Sequence, residues 1–149
     1  MNWDLLIQNK DSLLVSTDTR NLPAGCVFFA LHGERFDGNK FAQQALEAGA
    51  SLAVIDDPEV FATLTSSPDC LIASSPNNRL LLVEDTLLAL QDLARAWRRE
   101  LRLPIIGITG TNGKTTTKEL LATVLSTKYH LHYTQGNLNN QIGVPLTLL

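Results

Sequence analysis

The run Ile105-Ile106-Gly107-Ile108-Thr109-Gly110-Thr111-Asn112-Gly113-Lys114-Thr115-Thr116-Thr117 constrains this chain more than any other feature. An apolar, β-branched stretch leads into a glycine loop, and the loop leads into Lys-Thr and an apolar-periodic helix. This layout of strand, loop and helix is that of a phosphate cradle and belongs to α/β folds with parallel strands. Gly110 and Gly113 let the backbone turn tightly and bring its N–H groups toward anionic oxygens. A helix beginning near Lys114 adds the positive end of its dipole. Lys114 supplies a mobile charge for β- and γ-phosphates, and the Thr115 hydroxyl is a candidate Mg²⁺ ligand. Thr111, Asn112 and Thr116 complete the predicted ATP-binding loop. The position five residues before Gly113, glycine in the full nucleotide-loop pattern, is Ile108.

The rest of the composition limits what that loop can serve. The chain has 149 residues, 44% hydrophobic and 18% charged, which suits a globular protein with a core. Its net charge of −3 argues against a protein that coats nucleic acid, so phosphate recognition must be local. No apolar run reaches the ~20 residues that span a bilayer, and the first residues lack the basic region of a secretory signal. Cys26 and Cys70 sit among apolar neighbours without a ligand pattern, and the reading is two buried thiols, with a disulfide or metal pair as the alternative. These features together predict a cytoplasmic protein without membrane insertion.

Two segments joined by a helix are expected. Leu13-Leu14-Val15, Val27-Phe28-Phe29-Ala30-Leu31, Leu52-Ala53-Val54-Ile55, Leu71-Ile72-Ala73 and Leu80-Leu81-Leu82-Val83 read as strands. Residues 33–39 read as a polar loop. Phe41, Ala42, Ala45 and Leu46 recur at helical spacing, with Gly49 as the C-cap. From Asp85, an N-cap candidate, Leu87, Leu90, Ala94, Trp97 and Leu101 mark an amphipathic helix that Pro104 closes. Its arginines, Arg95, Arg98 and Arg99, read as a solvated face favoured near the helix C-terminus. Residues 129–134 alternate as a strand, with His130 and His132 on one exposed face; a metal pair is the alternative. Residues 135–145 form a turn-rich block containing Asn137, Asn139 and Asn140, whose amides suit a peptide or sugar ligand, or else hold the loop itself together.

The expected fold class is therefore α/β: a small amino-terminal α/β domain, then the start of a phosphate-loop, parallel-sheet ATPase domain. Such an ATPase domain needs further parallel strands and an acidic residue elsewhere to hold Mg²⁺. Only about 45 residues follow Pro104, and they offer neither that carboxylate nor a general base. The expectation is that the chain is a fragment or borrows half of its site from a partner.

With these residues in view, the chain resembles the Mur ligases, the ATP-dependent amide ligases of peptidoglycan synthesis. Three blocks carry the resemblance. One is Ser16-Thr17-Asp18-Thr19-Arg20 with Gly25, Phe28, Ala30, Gly33 and Asp37-Gly38; another is Gly110-Thr111-Asn112-Gly113-Lys114-Thr115-Thr116, similar to the family's shortened phosphate loop. The third is residues 134–149, which with Thr116-Thr117-Lys118-Glu119 looks most like the member that adds D-alanyl-D-alanine. Asn39 stands where the family pattern leads one to expect histidine. The resemblance implies a uridine-nucleotide substrate domain at 1–83, a linker helix at 84–102 and the beginning of the central ATPase domain at 103–149. It implies ATP and Mg²⁺ as cofactors, UDP-N-acetylmuramoyl-peptide and D-alanyl-D-alanine as substrates, and a monomer when complete. Lys114 and Thr115 would carry catalysis, with Thr115 on the metal. Ser16, Asp18 and Arg20 would shape the uridine pocket, although an ion pair bracing the local turn is the equal alternative for Asp18 and Arg20. Asn137, Asn139 and Asn140 would orient the muramoyl-peptide. Competing readings are a non-catalytic nucleotide-binding module, or another Mur-type ligase acting on a different amino acid or on folate.

Overall fold

The computed structural model describes residues 3–7, 13–33, 36–66, 79–136 and 138–149. The expected strand at 71–73, together with Cys70 and Asn137, lies outside these residues.

A short helix α1 (Asp4–Ile7) precedes strand β1 (Val15–Ser16) and a 3-10 turn at Thr19–Asn21. Strand β2 (Val27–Phe29) follows. The stretch read as a polar loop instead holds a two-stranded antiparallel ladder, β3 (His32–Gly33) with β4 (Phe36–Asp37), and a second 3-10 turn at Gly38–Phe41. Then come α2 (Ala42–Glu47), β5 (Leu52–Ile55), α3 (Pro58–Ser66), β6 (Leu80–Leu82) and α4 (Thr86–Glu100). The carboxyl-terminal segment carries α5 (Lys114–Leu125) and α6 (Gly143–Leu148).

The main sheet has the order β1-β2-β5-β6 and is parallel throughout, with Val27 opposite Leu52 and Val54 opposite Leu81. Both of its faces are covered, which is why its central strands read as continuous apolar runs. Phe28, Ala53 and Ile55 point into a cluster with Ala45 and Leu46 of α2 and Leu64 of α3. Val27, Phe29 and Val54 point the opposite way, onto Trp3, Leu13 and the α4 residues Leu90 and Leu93. The period of two along each strand thus divides one apolar run between two cores.

Local chemistry sets the helix ends. Asp85 accepts a hydrogen bond from the Leu88 N–H at 2.8 Å and caps α4, as expected. Helix α3 was not anticipated, yet Asp57-Pro58-Glu59 carries its signal. The Asp57 carboxylate accepts from the N–H groups of Glu59 and Val60, and proline occupies the first helical position. Arg79 clamps the far end of α2 by donating to the carbonyls of Leu46, at 3.0 Å, and Ala50.

Two expected strands are corrected. Residues 105–108 and 129–134 join no ladder among the described residues, and Ile105 and Ile106 are 47% and 63% exposed. A strand is a pairing between segments, and every strand of the main sheet comes from residues 15–82. The first strand is also displaced from Leu13-Leu14-Val15 to Val15–Ser16. No helix of the described residues is long and apolar enough to cross a membrane.

Candidate functional site

The glycine loop stands at the amino terminus of α5. Gly113 is its N-cap, at φ 77°, a left-handed conformation that an L side chain resists, and no side chain caps the first turn. The amide donors of that turn are therefore left to whatever anion the loop receives. The Lys114 ammonium folds back and donates to the Gly110 carbonyl at 2.6 Å, which keeps it at the loop mouth. Thr111, Asn112, Thr115 and Thr116 are all exposed. This donor set suits a polyphosphate: backbone amides, one mobile ammonium and hydroxyls. The exposed Thr115 hydroxyl, next to Lys114 in the chain, is of the type that would hold a divalent cation beside a phosphate.

The asparagine block is held at its far end by packing. Asn140 accepts through its side-chain oxygen from the N–H groups of Ile142 and Gly143, at 3.2 and 2.7 Å, so that oxygen caps α6. Asn139 is exposed. Helix α6 lies on α4, where Ile142, Leu146 and Leu149 join the second core cluster, and Gln91 donates to the Gln141 carbonyl at 3.2 Å. A small recess of about 120 Å³ consequently brings together Leu31 and His32, the start of α4 at Asp85–Leu87, and Gln141 with Ile142.

Ser16, Asp18 and Arg20 gather at the carboxyl end of β1 and engage one another. Ser16 donates to the Asp18 carbonyl at 3.0 Å and accepts from the Asp18 N–H at 3.2 Å. The Asp18 carboxylate accepts from Arg20 Nε at 2.9 Å and from the Arg20 N–H at 3.0 Å. The Arg20 side chain, then its N–H, holds this exposed carboxyl down to about 2. The geometry is that of the turn-bracing ion pair.

A more deeply built polar cluster lies at the carboxyl ends of β2 and β5, where open parallel sheets receive ligands. Asp56, its side chain 6% exposed, accepts from Asn39 Nδ2 at 2.9 Å, from the Thr86 hydroxyl at 3.0 Å and from the Thr86 N–H at 3.1 Å. His32 Nδ1 lies 3.2 Å from Oδ2, the carboxylate oxygen that both Thr86 donors also use. Burial pushes the Asp56 carboxyl up, but the hydrogen bonds from Asn39 and Thr86, helped by His32, outweigh it and the net shift is downward. Asn39, the residue standing in for the expected histidine, is 5% exposed and returns a bond by accepting from the Asp56 N–H at 3.1 Å. An open cleft of about 600 Å³ borders this cluster, with His32, Phe36, Lys40 and Asp57 among its walls. Sequence reasoning missed Asp56, although two aspartates directly after a buried parallel strand are a readable signal. His130 and His132 are exposed but belong to no strand, and His132 Nε2 lies 2.7 Å from the Thr147 carbonyl. Among the described residues no group of three metal-ligating side chains forms.

Comparison with known proteins adds to this geometry. The sequence pattern described as Mur ligase family, catalytic domain, matches residues 14–98, more than half of the chain, and that of the Mur ligase middle domain matches residues 108–149. The chain is similar to the UDP-N-acetylmuramoyl-tripeptide–D-alanyl-D-alanine ligase of Bacillus subtilis, with 49% identity over 91% of this chain and 27% of the relative. The enzyme of that name from Synechocystis is also 49% identical, over 100% of this chain and 29% of the relative. Among solved structures, MurF ligase from Thermotoga maritima in complex with ADP aligns with a TM-score of 0.73 and 31% identity, covering 93% of this chain and 30% of that one. The chain thus spans less than a third of the length of these two curated relatives.

Proposed function

The chain belongs to the Mur ligase family, and from that premise we propose that it is the amino-terminal part of an ATP-dependent ligase that adds D-alanyl-D-alanine to UDP-N-acetylmuramoyl-tripeptide in peptidoglycan synthesis. On this reading residues 1–83 hold the uridine-nucleotide end of the substrate, 84–102 link, and 103–149 open the ATPase domain. The observation that carries the reading is the uncapped Gly110–Lys114 loop at the head of α5, in a chain 49% identical over its whole length to a ligase of that name.

A carboxylate is a poor electrophile, so the reaction first makes it one. The terminal carboxylate of the tripeptide attacks the γ-phosphorus of ATP, ADP leaves, and an acyl phosphate forms. The amine of D-alanyl-D-alanine then attacks the acyl carbon, and phosphate leaves as the amide forms. Lys114 exchanges the Gly110 carbonyl for a γ-phosphate oxygen and neutralises the charge that develops there. The amides of Gly110, Thr111, Asn112 and Gly113 cradle the β-phosphate, and Thr116 donates to a phosphate oxygen. Thr115 would hold Mg²⁺, which supplies further charge neutralisation when bound. Asn139 and Asn140, with Asn137, orient the muramoyl-peptide so that its carboxylate meets the γ-phosphorus in line. Ser16, Asp18 and Arg20 brace the turn beside the uridine end. The protein acts in the cytoplasm, as a monomer.

Lys114→Ala in the intact ligase tests this reading. Amide formation should fall by at least about a thousandfold, the scale for losing a charge partner of the transferred phosphoryl group. Binding of the UDP-muramoyl-peptide, measured by calorimetry, should stay within twofold. Turnover near the wild-type rate would remove Lys114 from the mechanism.

A further inference from the structure

Lys118 lies four residues beyond Lys114 on α5 and therefore on the same face of that helix. Its side chain is only 15% exposed, unusual for a lysine on a short helix bordered by solvent. The ammonium donates to the Thr134 carbonyl at 2.5 Å and to the Gly136 carbonyl at 3.4 Å, and lies 3.0 Å from a Glu119 carboxylate oxygen. It also sits 5.7 Å from the centre of the Tyr133 ring. An ammonium has three donors and no acceptor, so two carbonyls and a carboxylate use all of them. The Thr134 carbonyl directly precedes the asparagine block and the Gly136 carbonyl lies at its start. The far end of that block is fixed separately, by the Asn140 cap and by α6 packed on α4. The block is thus pinned at one end to the substrate-domain side and at the other to the helix that carries the phosphate loop.

We propose that Lys118 is a positioning residue that sets the asparagine block in register with the phosphate loop, so that it governs affinity for the muramoyl-peptide and not for ATP. The proposal rests on the reading of that block as the peptide-orienting segment. Lys118 touches neither substrate; it acts through the backbone at 134–136. Methionine, of similar length, cannot donate to those carbonyls, whereas arginine can.

The test is steady-state kinetics of the intact ligase with Lys118→Met, Lys118→Gln and Lys118→Arg. UDP-N-acetylmuramoyl-tripeptide is varied at saturating ATP, and ATP is varied at saturating peptide. Lys118→Met should raise KM for the muramoyl-peptide about tenfold, equivalent to roughly 1.4 kcal/mol, and leave KM for ATP within twofold. Lys118→Arg should return the peptide KM to within threefold of wild type, and Lys118→Gln, with one donor end, should fall between. An unchanged peptide KM in Lys118→Met overturns the proposal. So does a parallel rise in both KM values with a lowered Tm, which marks general damage to α5, and so does an arginine variant no better than methionine. Should Lys118→Met not fold, a wild-type peptide KM in Lys118→Gln overturns it equally. Absence of amide formation by the wild-type ligase would instead sink the function reading, a distinguishable outcome.

Discussion

Asp56 joins the end of β5 to three other segments, and its removal has a calculable cost. Its carboxylate receives Asn39 Nδ2, the Thr86 N–H and the Thr86 hydroxyl, and lies 3.2 Å from His32 Nδ1. In Asp56→Ala two of these donors find other partners. The Thr86 hydroxyl still reaches the Ala30 carbonyl at 3.1 Å, and the His32 side chain, 59% exposed, turns to water. The Thr86 N–H is stranded, and so is one N–H of the Asn39 amide, whose other N–H keeps the Asp37 carboxylate at 3.1 Å, in residues that are 1% and 5% exposed. Each bond to a carboxylate contributes about 1.5 kcal/mol at the low end of its range, so the loss is about 3 kcal/mol. Urea unfolding with m of about 1.5 kcal/mol/M should then show a midpoint about 2 M below wild type. Asp56→Asn keeps the shape and one acceptor but turns an NH₂ toward a donor, and about half that loss is expected. The acidity gives an independent handle. The folded carboxyl is shifted downward, so its contribution is fully present above the unfolded value near 4 and is lost as pH falls through the lower folded one. The gap between wild type and Asp56→Ala should therefore narrow only in strong acid. A midpoint shift under about 0.5 M at pH 7 would refute the stranded-donor argument.

Two further perturbations follow from the same geometry. A Cβ on Gly38 would stand 2.7 Å from the Ala30 carbonyl carbon and 2.8 Å from the Leu31 nitrogen, both backbone atoms. Gly38→Ala should cost about 2 kcal/mol and lower Tm by about 6 °C, while Gly33→Ala, whose Cβ meets nothing within 4 Å, should leave Tm within about 1 °C. Equal melting of the two variants would count against the close approach. In a carboxyl-carbon NMR titration Asp18 should show a midpoint of about 2, and Arg20→Ala should move it part of the way toward 3.8, because the backbone N–H of residue 20 still donates. An unmoved midpoint would exclude the guanidinium as the main cause.

Some features could be read from the residues alone because their causes are local. Gly113-Lys114-Thr115 at the head of an apolar-periodic segment dictates a loop and a helix start wherever they occur, and the structure places α5 there. Asp85 caps α4 and Gly49 ends α2 at φ 105° for equally local reasons. The uninterrupted apolar runs at 27–29 and 52–55 signalled strands covered on both faces. Signals that were present but overlooked include the Asp57-Pro58 start of α3.

Other features depend on which segments meet, and no single segment carries that information. The run at 105–108 has the composition of a strand, but a strand exists only with a neighbour to pair with, and none lies beside it among the described residues. Asp56, Asn39, Thr86 and His32 are scattered over more than 50 positions and become one cluster only because β2, β5 and the start of α4 end at the same edge. For Asp18 and Arg20 the residues left a ligand contact and a local ion pair equally open, and the turn places each within reach of the other. Lys118 gains its carbonyl partners only because residues 134–136 fold back over it. The sequence by itself determined where the chain turns, caps and begins its helices, because those are contests between neighbouring residues. Only the tertiary structure decided which polar groups satisfy one another, because a buried donor must take its acceptor from whatever segment packing brings within 3 Å or so.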